Sequence, residues 1–147
     1  VSTQSTGISI NPNIQSIFDD ITQQQSQFIK LKELQQQFSD IDVKSIKLLQ
    51  QSVSLTQNTN IDSFAKFYSI IERIKLEFLS IKTMNLNQVT QSLKNCGCEL
   101  SNSIIMKMVQ KFDSDRNGIQ IDEFIQISSV LIQIEQLFSN NETIELT

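Results

Sequence analysis

Residues 112–124 read FDSDRNGIQIDEF. Oxygen-bearing side chains stand at every second position, at Asp113, Asp115 and Asn117, and Gly118 follows at once. When a chain curls into a loop, side chains at this spacing converge on one point, where calcium takes about 6 to 8 oxygen ligands. The stretch therefore predicts a loop of the kind that holds a calcium ion, with DEF as its end.

Apolar residues on both sides of this loop recur at helical spacing. IIMKMVQKF precedes the loop from residue 104, and FIQISSVLIQIEQLF follows it to residue 138. Side chains three and four residues apart lie on one face of a helix. Ser101 is a suitable N-cap for the first helix and Asp122 for the second. The pattern predicts a helix, a loop and a second helix over residues 101–138.

The same spacing continues upstream, where further helices are predicted. Asn11 followed by Pro12 is a typical helix start, and Asp42 and Asp62 are further N-cap candidates. The helix after Asp62 is the most regular and carries six large apolar residues, Phe64, Phe67, Ile71, Ile74, Phe78 and Ile81. Burial of one such side chain stabilises a fold by about 1.5 to 3 kcal/mol, so this helix is predicted to form the centre of the core.

Short polar loops separate the predicted helices, and each loop ends in a few residues that favour strands. These residues are Phe28–Ile29, Ile61, Met84–Leu86 and Ile119–Ile121. A repeated unit of helix, loop, tiny strand and helix is typical of an EF-hand, and such units stand in pairs. We therefore predict an all-α fold of about eight helices with tiny strands between the loops.

Composition excludes several classes of function. The chain of 147 residues has a net charge of −4, which argues against nucleic acid because phosphates require a basic surface. No apolar run approaches the ~18 residues of a membrane span. The chain has no histidine, so it lacks the commonest general base and any Ser-His or Cys-His pair. We expect no enzymatic activity.

Two further features concern processing and redox state. Residues 1–13 are polar and aperiodic, and we expect a flexible lead-in there rather than a signal peptide. Cys96 and Cys98 are too few ligands for zinc in a chain without histidine. We expect both thiols to be reduced, beside a helix end at Gly97.

On these patterns the sequence resembles the penta-EF-hand family, which includes sorcin and the C-terminal domains of calpains. The strongest match is residues 104–138, because in the family a long helix leaves the fourth hand and runs straight into the fifth. TIEL, at 143–146, resembles the strand of a fifth hand. Weaker matches to the first three hands are IFDDITQQQSQFIKLKELQQQF, SIKLLQQSVSLTQNTNIDSFAKFYSIIERI and FLSIKTMNLNQVTQSLKNCGCELS.

The resemblance implies a domain plan. After the lead-in, residues 14–81 are a degenerate first EF-hand pair, residues 82–138 are a second pair, and residues 139–147 are the start of an incomplete fifth hand or a tail. Family members dimerise by pairing their fifth hands. Because residues 139–147 are too few for a complete fifth hand, we expect this tail to meet a helix or strand of a different partner.

The first three loops lack calcium ligands. If Thr22 opens the first loop, Glu33 stands at the twelfth position, but Lys30 puts a cation at the ninth and no other carboxylate is present. The third loop, KTMNLNQ, is too short to surround an ion. The second loop offers only Thr56, Asn58, Asn60 and Asp62. We predict that all three are silent.

The fourth loop departs from the calcium-binding pattern by one residue. Counted from Asp113, Glu123 is the eleventh residue, whereas the closing glutamate belongs at the twelfth. The predicted ligands of a weak calcium site are Asp113, Asp115, Asn117, the Ile119 carbonyl and Glu123. The alternative is that Asp113 and Gly118 only shape the turn. The expected cofactor is therefore none, or one weakly bound calcium.

These observations favour a non-catalytic, calpain-like EF-hand module that is a structural, protein-binding subunit of a larger assembly. Two alternatives stay open: a calcium sensor that uses the 113–123 loop, and the C-terminal regulatory domain of a calpain-type cysteine protease. The expected partners are other protein chains, without nucleic acid or a membrane span. The expected setting is cytoplasmic, including cytoskeletal or ciliary, with a mitochondrial mature form beginning at Val1 as an alternative.

Overall fold

The computed structural model describes residues 11–54, 56–113 and 117–146, which form seven helices and two short strands. In chain order these are α1 (Pro12–Thr22), β1 (Ile29–Lys30), α2 (Leu31–Gln37), α3 (Val43–Val53), β2 (Asn58–Thr59), α4 (Ile61–Glu77), α5 (Leu86–Asn95), α6 (Asn102–Phe112) and α7 (Ile121–Leu146). The predicted all-α class is confirmed, with seven helices in these ranges where about eight were expected.

Polar side chains fix where the helices begin. Asn11, Asp42 and Ser101 each accept a hydrogen bond from a backbone N–H two or three residues further on, as their N-cap role requires. The prediction for Asp62 is wrong, because Asn60 caps α4 instead. Asp62 lies inside the first turn, where its carboxylate faces the positive end of the helix dipole.

Short backbone pairings join the loops two by two. In β1 and β2 the partners are Ile29 with Thr59 and Lys30 with Asn58, in antiparallel register. A single antiparallel bridge joins Met84 to Ile119. The predicted pairing of loops is thus confirmed, but the second-loop strand comes earlier than expected. Ile61 is the first residue of α4 rather than part of a strand.

Helix α4 runs through the centre of the core, as its periodicity predicts. Four of its apolar residues are buried: Phe64, Phe67, Ile71 and Ile74. The Phe64 ring contacts Phe18 and Tyr68, with ring centroids 5.8 and 5.9 Å apart. The other two predicted residues, Phe78 and Ile81, are only partly buried because α4 ends at Glu77.

Helix α3 from the first half of the chain packs along α7 from the second half. The Asp42 N–H donates a hydrogen bond of 2.9 Å to the Asp122 carboxylate, and the Ser45 hydroxyl donates to the Asp122 carbonyl at 3.1 Å. Further along, the Gln136 amide donates to the Ser52 carbonyl at 3.1 Å. Asp122 therefore links two helices, and the prediction that it caps α7 is wrong because α7 begins at Ile121.

The long last helix was expected, but its extent was not. Helix α7 has 26 residues and runs without a break from the fourth loop to Leu146. The prediction of a strand at TIEL, residues 143–146, is therefore wrong. A strand forms only against a partner edge, whereas each new helical residue adds a hydrogen bond to the turn already present. No helix in the described part of the chain is long and apolar enough to cross a membrane.

Candidate functional site

The fourth loop is closed by a hydrogen bond from its glycine. The Gly118 N–H donates to the Asp113 carboxylate at 3.1 Å, and Gly118 has φ of +92°. A Cβ atom at Gly118 would lie 3.0 Å from the Thr83 side chain of the third loop. Both the backbone conformation and this close approach require glycine. The expectation that Asp113 and Gly118 shape the turn agrees with this geometry.

Two of the other predicted ligands already accept backbone hydrogen bonds. The Ile119 carbonyl accepts the Met84 N–H at 2.9 Å, and the Ile119 N–H donates to the Met84 carbonyl at 2.9 Å. The Glu123 carboxylate accepts the Gln120 N–H at 3.0 Å. The Ile119 carbonyl is thus engaged in the bridge between loops, and Glu123 satisfies the first turn of α7.

The remaining predicted ligands are Asp115 and Asn117. Asp115 lies outside the described residues, and Asn117 is exposed at the edge of the turn. Within the ranges that the structure describes, no group of three or more Asp, Glu, Cys or His side chains is arranged to hold a metal ion. The five-residue calcium site therefore stays a prediction.

The first loop shows which residue the fourth loop lacks. There, Ile29 lies in the strand pair and Glu33 accepts the Lys30 N–H at 2.9 Å. Ile119 and Glu123 have the same separation and the same two roles in the fourth loop. Aligned in this way, the deleted residue is the one before Ile119, equivalent to Phe28. The fourth loop thus keeps a glutamate in the closing position and lacks the residue whose carbonyl is the seventh-position ligand.

Oxygen atoms of the first loop already take part in hydrogen bonds within the protein. The Ser26 hydroxyl donates to the Phe28 carbonyl at 3.0 Å, and the buried Thr22 hydroxyl donates to the Phe18 carbonyl at 3.0 Å. Gln23 and Gln24 both adopt left-handed backbone conformations, with φ of 54° and 57°. These side-chain and backbone bonds engage oxygens that a calcium ion would need.

The second loop is also held by hydrogen bonds between its own residues and nearby side chains. The Asn58 carbonyl accepts from the Thr56 hydroxyl at 2.9 Å and from the Ser54 hydroxyl at 3.0 Å. The buried Gln50 amide donates to the Thr56 carbonyl at 2.6 Å. The loop is therefore held by hydroxyl and amide groups, which carry no charge to balance a divalent cation.

A cavity of about 270 Å³ lies between α4, α5 and α7, and its lining residues lie outside the four candidate calcium loops. Its walls are largely aliphatic, with Ile70 and Ile74 from α4, Leu93 from α5, and Leu131 and Ile132 from α7. Ser128 of α7 also lines the cavity; it is 7% exposed, and within the described residues its hydroxyl oxygen has no hydrogen-bond partner. This concave apolar surface with a few polar groups has the character of a binding site.

The sequence is similar to that of a longer protein. No family model matches the sequence. Peflin from Danio rerio is 24% identical over an aligned stretch that covers 91% of this chain and 55% of peflin. This chain therefore spans about half the length of that relative.

A solved structure matches the fold. The structure of a homolog of programmed cell death 6 protein from Leishmania major Friedlin superposes with a TM-score of 0.57 at 18% identity, covering 86% of this chain and 79% of the homolog. Both this homolog and peflin are penta-EF-hand proteins. This chain has a penta-EF-hand fold. The resemblance predicted from the sequence is confirmed, although the loops of this chain carry few acidic side chains.

The rim of the cavity is polar. Arg73 forms an ion pair with Glu77 at 3.3 Å, and the Glu135 carboxylate accepts the Glu99 N–H at 3.3 Å. Both cysteines line the rim as free thiols. Partial desolvation raises the pKa of each thiol above its ordinary value. The nearby carboxylates, Glu77 for Cys96 and Glu135 for Cys98, add to the rise.

The sequence predicts a candidate site in the fourth loop and does not predict the cavity. One signal was present: Ser128 stands four residues after Phe124 and three before Leu131, on the apolar face of α7. A polar residue within such a face is either paired or functional. The cavity itself depends on how three helices meet, which periodicity does not specify.

Proposed function

We propose that this chain is a non-catalytic penta-EF-hand module that acts as a protein-binding subunit of a larger assembly. The observation that carries the proposal is the interhelical cavity, because it is an accessible, concave and apolar surface. In the first and second loops, by contrast, oxygen atoms are engaged in hydrogen bonds within the loop. The absence of histidine from the sequence supports a non-catalytic role.

The proposed occupant of the cavity is an apolar segment of a partner protein. Aliphatic walls surrounded by Arg73 and Glu135 have the apolar centre and polar rim of protein interfaces. Phe138 lies one helical turn beyond Glu135 on α7 and is 47% exposed. An exposed aromatic ring at the edge of an apolar pocket is a frequent contributor to binding energy. The partner segment is thus expected to extend from the cavity across Phe138.

We further propose that the module does not use calcium as a signal. The fourth loop lacks one residue, and its Ile119 carbonyl is engaged with Met84. Calcium affinity depends on the number and geometry of oxygen ligands, so any binding there is expected to be weak. Partner binding is therefore expected in the absence of calcium.

Blocking the cavity is expected to abolish partner binding. Ser69 lies at the exposed mouth of the cavity on α4, so Ser69→Trp covers the opening without burying a polar group. The tagged full chain is used to capture partners in EGTA, and captured proteins are quantified by mass spectrometry. We expect Ser69→Trp to lower the amount of the specific partner by about tenfold or more, equivalent to about 1.4 kcal/mol.

The matched control is Ser103→Trp, at an exposed position of α6 outside the cavity. This variant is expected to capture as much partner as the parent chain. Equal capture by the Ser69→Trp and Ser103→Trp variants would show that the cavity is not the docking site.

A further inference from the structure

Both cysteines belong to the turn that ends α5. The Gly97 N–H donates to the Lys94 carbonyl and the Cys98 N–H donates to the Leu93 carbonyl, each at 3.0 Å. With Gly97 at φ of +98°, these two bonds form a Schellman motif. The motif holds the backbones of Cys96 and Cys98 on either side of the glycine.

The two thiols lie close together and are within reach of solvent. Cys96 is exposed, Cys98 is half-buried, and both are free. Two residues of chain span at most about 7 Å, so the Cα atoms of the two cysteines are no further apart than that. Both residues also line the wall of the same cavity. The turn therefore places a pair of soft ligands side by side.

A disulfide and a bridging metal ion make different demands on such a pair. A disulfide needs Cβ atoms about 3.8 Å apart and a fixed torsion angle, which the bonds of the turn restrict. A metal–thiolate bond of about 2.3 Å lets an ion join sulfur atoms about 4.6 Å apart. Zinc would need two further ligands, whereas copper(I) is a soft ion that two thiolates can satisfy.

We propose that Cys96 and Cys98 form a two-coordinate site for copper(I). Binding displaces one proton from each thiol and forms two copper–sulfur bonds, so two protons are released. Copper stays in the +1 state, and no electron is transferred. The resulting complex carries one negative charge, whereas two free thiolates would carry two.

The charges around the turn are compatible with a complex of this kind. Arg73 on α4 and Lys94 on α5 favour the charged forms of the two thiols, while Glu77 and Glu135 oppose them, and partial desolvation has the largest effect on both pKa values. Glu77 is paired with Arg73, and Glu135 accepts the Glu99 N–H. Copper(I) relieves the repulsion between the thiolates by adding a positive charge between them.

Competition with a chelator measures the proposed affinity directly. The reduced full-length chain is titrated with copper(I) without oxygen in the presence of bathocuproine disulfonate, whose copper complex is followed by absorbance. We expect one ion per parent chain. Cys96→Ser and Cys98→Ser should each lower the affinity by about 100-fold or more, because the second ligand is no longer tethered beside the first.

A relocated thiol provides the matched control. The double variant Cys98→Ser with Ser16→Cys keeps two thiols but moves one to an exposed position on α1. Phe18 of α1 contacts Phe64 of α4, which lies nine residues, or roughly 13.5 Å, before Arg73 at the proposed site. We expect this chain to bind copper(I) as weakly as the Cys98→Ser chain, and circular dichroism should show that it is folded.

The pH dependence of binding reports how many thiols hold the ion. Between about pH 6 and 7 the affinity of the parent chain is expected to rise about 100-fold per pH unit, because two protons leave. Each single variant should show a rise of about tenfold. A tenfold rise in the parent chain would overturn the two-thiolate site, as would equal affinity of the parent and relocated-thiol chains. Displacement of copper(I) by an equal concentration of zinc would contradict the two-coordinate geometry.

Discussion

Inserting one alanine between Gly118 and Ile119 is expected to convert the fourth loop into a calcium site with a dissociation constant of about 10⁻⁵ M, at the weak end of the sensor range. The insertion supplies the carbonyl that the loop lacks, while Ile119 keeps its bridge to Met84 and Glu123 keeps its place in the first turn of α7. We expect the parent chain to bind at least about 100-fold more weakly, which isothermal titration calorimetry measures directly.

The control for the insertion carries a second change, Glu123→Gln. Because Glu123 is expected to provide both oxygens that close the ligand set, this double variant should lose the gained affinity. Micromolar binding by the unmodified chain would contradict our alignment of the loop. The same conclusion would follow if the insertion produced no heat of calcium binding.

Replacing Phe64 by alanine is expected to lower the free energy of unfolding by about 3 to 5 kcal/mol. Phe64 is fully buried on α4, and its ring contacts Phe18 of α1 and Tyr68 of the same helix. Removing the ring takes away its burial and leaves a void that close-packed neighbours fill only in part. Urea unfolding followed by circular dichroism should show a fall of about 2 M in the midpoint.

Phe28→Ala is the matched control, because Phe28 is 45% exposed in the first loop. Its effect on unfolding should stay within about 0.5 kcal/mol. Similar losses for the two variants would show that α4 is not the centre of the core. Since natural domains are stable by only about 5 to 15 kcal/mol, the Phe64 variant should also populate the unfolded state at moderate temperature.

Much of the fold followed from local patterns in the sequence. The apolar face of α4 and the caps Asn11, Asp42 and Ser101 were identified because helical periodicity and cap chemistry are short-range. The start of α4 was misplaced because Asn60 and Asp62 are both good cap residues, and the sequence alone does not rank them. The helical end of α7 was missed because Thr and Ile favour strands only where a partner strand is available.

The position of Glu123 in the fourth loop and the cavity could not be predicted from local sequence patterns. Counted from Asp113, Glu123 stands one position before the closing position of a calcium loop. The pairing of Ile119 with Met84 shows instead that the missing residue lies before Ile119, so that Glu123 occupies the closing position. That pairing joins two loops that are distant in the chain. The cavity around Ser128 likewise needs α4, α5 and α7 to be placed together, and no local pattern encodes a space between helices.

We propose that the apolar core stabilises this fold without calcium. The most direct test is the thermal unfolding midpoint of the parent chain in EGTA and in about 1 mM calcium chloride. We expect the two midpoints to agree within about 2 °C, since a site of about millimolar affinity adds little stability at this concentration. A rise of roughly 8 °C, which corresponds to about 2.7 kcal/mol from a site of ~10⁻⁵ M affinity, would contradict the account.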